Sequence, residues 1–157
     1  NSQAMAALGT EWSVAAVADF DADLRADILW RNAATGDLYL WRMDGAAVSG
    51  QAALGRFGTA WTVAGATDLD GDGRADVVLR NAGTGDVWGL LMNAAGTAVA
   101  SQGWIGRADA GWTASWVADF TGDDKADLLW VDASGNAWLW EMAGLTLASQ
   151  SGAGFSG

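Results

Sequence analysis

Seventeen of the nineteen acidic residues are aspartate, and eleven of those seventeen recur at fixed positions in three short loops of one spacing. The loops read DFDADLRAD from Asp19, DLDGDGRAD from Asp68 and DFTGDDKAD from Asp119. Side-chain oxygens recur at loop positions one, three, five and nine, and position seven offers a backbone carbonyl. Carboxylates held this close repel one another unless a cation sits among them or some remain protonated. A hard divalent ion taking about six to eight oxygen ligands resolves the repulsion, and Ca²⁺ suits a flexible loop better than octahedral Mg²⁺. Three such ions would take the formal charge from −11 to −5.

Two other readings compete. An EF-hand needs a bidentate Glu at position twelve and a helix after the loop. Position twelve here is Trp30, Leu79 or Trp130, inside an apolar run of strand length. The other reading takes Asp-Gly-rich segments simply as turns. Loop 2 has the fullest ligand pattern. Loop 1 keeps all four carboxylates but places Ala22 and Leu24 where loop 2 has Gly71 and Gly73. Loop 3 puts Thr121 at position three and Asp124 at a glycine position, so it is expected to bind most weakly.

The elements that must hold these loops form a repeat. Trp12, Trp61 and Trp112 correspond, at offsets of 49 and 51, and Asp19, Asp68 and Asp119 keep those offsets. Agreement over more than thirty positions in three copies marks one supersecondary unit used three times. Each copy reads as short strands such as ADILW and DLYLW, bounded by turns such as NAATGD, NAGTGD and DASGN. Tyr39, Trp41 and Met43 alternate with Leu38, Leu40 and Arg42, and Trp88, Leu90 and Met92 repeat that face, as do Trp138, Trp140 and Met142. Period two places each set on one side of a sheet. A weaker fourth strand covers 46–54, 97–105 and 145–153. Four antiparallel strands in each repeat of about 50 residues fit one blade of a β-propeller.

The fold class is therefore all-β, three four-stranded antiparallel blades belonging to a larger or oligomeric propeller. The expected blades are 8–53, 54–104 and 105–154. Residues 1–9 resemble 50–55 and are expected to be an outer strand of a neighbouring blade. Without an initiator Met or a signal-peptide pattern, the chain reads as a processed or excised piece. Three blades leave two apolar blade faces open, so further blades or a homo-oligomer are expected to complete the ring. Six blades from two chains is the simplest closed assembly.

These residues resemble the FG-GAP or VCBS-type repeats of integrin-like β-propellers, over about residues 8–154. The resemblance implies Ca²⁺ at loop positions one, three, five, seven and nine, up to three ions in all. Those positions are Asp19, Asp21, Asp23, Arg25 and Asp27; Asp68, Asp70, Asp72, Arg74 and Asp76; and Asp119, Thr121, Asp123, Lys125 and Asp127. Arg25, Arg74 and Lys125 would give main-chain oxygen only. The chain has no proline, so the Gly-Ala-Pro half of the namesake motif is missing, and Phe57-Gly58 is at best a remnant of the other half. Integrin-type partner recognition is not implied.

Composition narrows function further. With 157 residues, 51% of them hydrophobic, the chain can bury a core. A polyanion is repelled by nucleic acid and by anionic membrane surfaces, and no apolar run is long enough for a membrane insertion. The chain has neither His nor Cys, which excludes a thiol nucleophile, a Ser-His-Asp triad and the usual structural zinc site. With two Glu besides the Asp, no catalytic residue is expected and the chain is read as no enzyme. Recurrent Trp positions are expected to pack between blades, whereas Trp104 and Trp116 fall outside the shared pattern. Tryptophan faces stack on sugar rings, and integrin-like propellers include lectins that bind sugars between blades. The expected function is calcium-dependent extracellular recognition of a glycan or cell surface by a secreted module, its ligand-binding residues not readable. The alternative is a structural or oligomerisation segment of a larger secreted protein or hydrolase.

Overall fold

The computed structural model describes residues 8–153, and residues 1–7 of the expected neighbouring strand lie outside that range. Twelve strands follow in order: β1 (Trp12–Ala18), β2 (Asp27–Asn32), β3 (Asp37–Asp44), β4 (Ala47–Arg56), β5 (Trp61–Thr67), β6 (Asp76–Asn81), β7 (Asp86–Met92), β8 (Val99–Arg107), β9 (Trp112–Ala118), β10 (Asp127–Asp132), β11 (Ala137–Ala143) and β12 (Thr146–Ala153). They form three antiparallel meanders, β1–β4, β5–β8 and β9–β12, one for each repeat. These are propeller blades in an open array, not a closed ring.

Local chemistry explains the hairpins. The Asn32 side-chain oxygen accepts the Ala34 and Thr35 N–H groups at 2.9 and 3.1 Å, and Asn81 does the same for Gly83 and Thr84. Asp132 plays this part in blade 3, accepting the Ser134 and Asn136 N–H groups. Such Asx turns stand in for a backbone turn and fix the strand register. The expected limits at 53/54 and 104/105 fall within β4 and β8, which run on to Arg56 and Arg107. Asp37 pairs with Arg56 and Asp86 with Arg107 at those strand ends, at 2.7 and 2.9 Å.

The cores lie between blades. Each blade has a leading face toward the preceding blade and a trailing face toward the following one. The first core joins Phe20, Leu29, Leu38 and Leu40 of blade 1 to Val77, Leu79, Leu90 and Met92 of blade 2. The second joins Leu69, Val78 and Val87 of blade 2 to Leu128, Trp130, Trp140 and Met142 of blade 3. The period-two alternation in the sequence is this division of each strand between two faces. First strands β1, β5 and β9 meet their neighbours across the blade boundary, so they are innermost. Trp41, Trp130 and Trp140 are buried, as recurrent packing positions should be, whereas Trp138 is exposed. Trp104 and Trp116, outside the repeat pattern, are 56% and 69% exposed.

Candidate metal sites and an aromatic cleft

Each aspartate loop joins the innermost strand of a blade to the second. Its backbone turns through left-handed residues at positions four and six: Ala22 and Leu24, Gly71 and Gly73, Gly122 and Asp124. This geometry aims successive N–H groups at the first aspartate. Asp68 accepts Gly71 and Gly73 at 2.7 Å, and Asp119 accepts Gly122 and Asp124 at 2.6 and 3.0 Å. Asp19 accepts Asp23 and Leu24 at 3.2 and 2.8 Å.

Position nine has a second task. Asp27, Asp76 and Asp127 are buried, and each carboxylate accepts two main-chain N–H groups. Asp27 takes Phe20 at 3.0 Å and Met43 at 2.8 Å; Asp76 takes Leu69 at 2.9 Å and Met92 at 2.8 Å. Asp127 takes Phe120 at 3.0 Å and Met142 at 3.1 Å. The carboxylate thus ties the loop to the end of the blade's third strand.

Positions one, three and nine converge in two of the three loops. Asp19, Asp21 and Asp27 place one carboxylate oxygen each within 4.8 Å of one another, and Asp68, Asp70 and Asp76 do the same. Among the described residues, loop 3 gathers no such trio: Thr121 supplies no carboxylate at position three. Position five does not join the clusters either. Asp23, Asp72 and Asp123 face the cations at position seven: Arg25 at 2.9 Å, Arg74 at 2.6 Å and Lys125 at 3.5 Å. The position-seven side chains, expected to be bystanders, therefore hold the position-five carboxylates aside.

Electrostatics follow the geometry. Burial pushes Asp76 up to about 7, and the nearby Asp70 and Asp72 charges add to the rise. Burial also raises Asp27 and Asp70, with neighbouring carboxylates adding again. Asp119 moves the other way, held down chiefly by the Gly122 N–H. Clustered carboxylates raised by burial and by one another are the arrangement that a cation relieves. The donor set is all oxygen and carries three formal negative charges in each cluster, which fits a hard divalent ion.

A second feature lies between blades 2 and 3. Arg107, Ala108, Asp109, Trp112, Trp130, Trp138, Trp140 and Gln150 line a cleft of about 230 Å³. A shallower groove of about 650 Å³ shares Arg107, Trp140 and Gln150 with it and reaches Trp104. The Gln150 side-chain oxygen accepts the Trp138 indole N–H at 3.2 Å. The same pairing recurs as Trp88 to Gln102 at 3.1 Å and Tyr39 to Gln51 at 3.3 Å. The buried Trp130 indole N–H lacks a hydrogen-bond partner among the described residues. Between blades 1 and 2, Phe57 stands at the place of Ala108 and packs against the first core. The sequence carried this signal, Arg56-Phe57-Gly58 against Arg107-Ala108-Asp109, but its meaning depends on how the linker crosses the blade boundary.

A family model described as an FG-GAP-like repeat matches residues 19–79 and again 68–130, together well over half of the chain. Each match runs from one aspartate loop into the second strand of the next blade. No curated protein matches the chain.

Proposed function

The chain belongs to the FG-GAP-like repeat family, and on that footing we propose that it is a calcium-binding β-propeller module for extracellular recognition of glycans. The observation that carries the recognition half is the tryptophan-lined cleft between blades 2 and 3. The exposed Trp138 and the part-buried Trp112 offer indole faces for stacking, the buried Trp130 and Trp140 form the wall behind them, and Arg107, Asp109 and Gln150 offer donors and acceptors for hydroxyl groups. A mostly apolar concavity with a few convergent polar groups has the make-up of a small-ligand site.

Calcium is read as structural. Loops 1 and 2 hold the stronger candidate sites, and loop 3 is the weaker one. An ion there pins the turn between the first two strands of a blade, and at ten times its dissociation constant contributes about 1.4 kcal/mol. Loop sites of modest affinity fill only where calcium is abundant, which favours a secreted location. Catalysis is not part of the reading, since the chain has no histidine and eleven of its seventeen aspartates sit at loop ligand positions.

A second reading, a structural or oligomerisation segment of a larger secreted protein or hydrolase, draws on the exposed apolar residues of the outer blade faces, Val17 and Phe120 among them. A glycan array probed with the calcium-loaded chain separates the two. The recognition reading expects binding that Ala108→Phe abolishes, because the phenyl ring fills the cleft as Phe57 does at the other blade contact. An array with no bound glycan would sink it. Calcium is tested separately: EDTA is expected to lower the melting temperature, and an unchanged melting temperature would remove the ion from the account.

A further inference from the structure

The two internal blade contacts follow one layout, and that layout prescribes a third contact between copies of this chain. In each internal contact, an alanine N–H from the following blade's loop donates to the first aspartate's carbonyl: Ala75 to Asp19 and Ala126 to Asp68, both at 2.7 Å. The leading face of blade 1 carries the matching Ala26, and the trailing face of blade 3 carries the matching Asp119. The apolar positions correspond as well. Phe20 and Leu69 are fully buried in the two contacts, while their counterpart Phe120 is 47% exposed. Val17, counterpart of the packed Ala66 and Val117, is also exposed. Blade 1 of a second copy is therefore the complement that the repeat itself offers to blade 3. Such a head-to-tail contact joins unlike faces, so it closes into a ring or grows as a filament.

One residue breaks the layout. The innermost strands meet at a small side chain: Ala16 on blade 1 and Gly65 on blade 2. A Cβ built on Gly65 would lie 2.7 Å from Cγ2 of Val117, closer than real Cβ atoms come. The third copy of this position is Trp116, standing out from the trailing face of blade 3. In a head-to-tail contact it would meet Val17, which holds the place of Val117. An indole has no room where a methyl carbon has none. A clamp is missing too. Arg31 reaches the Gly58 and Trp61 carbonyls, and Arg80 reaches those of Ala108 and Asp109 at 3.2 and 3.0 Å. Blade 3 has Val131 at that position, with no donor to offer.

We infer that Trp116 is a steric stop that bars blade 1 of a second copy from blade 3 and so prevents head-to-tail assembly. A partner for this face must carry a hollow where the internal blades carry Val117. The six-bladed dimer expected from the repeat count is then not the resting state of the chain. Exposed blade faces invite self-association, and a bulky residue at the point of closest approach is an economical guard against it. The inference is independent of glycan binding, since Trp116 lies outside the cleft between blades 2 and 3.

Sedimentation velocity on the full chain in calcium tests it. The wild type is expected to run as a monomer through the micromolar range. Trp116→Gly, which copies Gly65, and Trp116→Ala combined with Val17→Ala, which copies the Ala16 and Ala66 positions of the first contact, are expected to self-associate at least about tenfold more tightly. Adding Val17→Asp at the opposite end of the array should return Trp116→Gly to monomer, because it puts an unpaired charge into the new contact. Two small-residue variants that both stay monomeric overturn the inference. So does a wild type that already associates and is dissociated by Val17→Asp alone.

Discussion

Leu24, a loop residue that departs from glycine, shows how a single side chain sets the cost of a site. Positions four and six of every aspartate loop are left-handed, a conformation costing roughly 1–2 kcal/mol for a residue with a Cβ. Loop 2 meets the demand with Gly71 and Gly73, whereas loop 1 holds Ala22 at φ 63° and Leu24 at φ 67°. Leu24 is 94% exposed, so no packing compensates it. Leu24→Gly is expected to raise stability by about 0.5–1 kcal/mol, the relief being offset in part by the greater unfolded-state freedom of glycine. A urea midpoint that stays put or falls would show that the left-handed turn costs loop 1 nothing. Spacing alone made the first, third and ninth residues of each loop visible as ligand candidates. It could not show the fifth turning to Arg25, Arg74 or Lys125, because that depends on side-chain rotamers and not on sequence interval. Nor could it show position nine reaching a methionine N–H across the blade, since that bond spans fifteen or sixteen residues.

Strands and linkers carry the next layer, and here the repeat read further than its exceptions did. Four strands per copy, their order and their two-faced alternation follow from period-two patterning and turn residues. The places where linkers close or open the space between blades do not, since Phe57 and Ala108 differ only in what they fill. One linker-proximal contact gives a pH signature. Asp86, at the start of β7, is held down to about 2, first by the Arg107 guanidinium and then by Thr84 and the Trp104 indole N–H. A carboxyl below its ordinary 3.8 binds fewer protons folded than unfolded, so its contribution is present above that value and lost as pH falls toward 2. Carboxyl NMR should place the Asp86 titration near 2 and show it moving up in Arg107→Gln. The stability gap between wild type and that variant should narrow as pH drops through this window. A carboxyl that titrates alike in both chains would show that the pair does not hold in solution.

Across the whole molecule, stability is shared unevenly because the cores belong to contacts and not to blades. Blade 2 lies between two partners: Val77 and Leu79 of β6 are buried in the first core and Val78 in the second. The matching strands of the outer blades are each half-open, at Ile28 and Trp30 in β2 and at Leu129 and Val131 in β10. In a stack of repeats with nearest-neighbour contacts, the central unit opens only when both contacts are lost, and an outer unit opens when one is. Amide hydrogen exchange is therefore expected to be slowest in β6 and β7, with β2 and β10 exchanging through smaller openings. Calcium should widen the difference. Loop 1 is tied to blade 2 by Ala75 and loop 2 to blade 3 by Ala126, so an ion in either loop braces a contact that blade 2 makes. Loop 3 faces no following blade among the described residues, and an ion there would brace blade 3 alone. Added calcium should then slow exchange in β6 more than in β10. Equal protection of β2, β6 and β10, with or without calcium, would show instead that the three blades unfold as one unit and that their open faces cost them nothing.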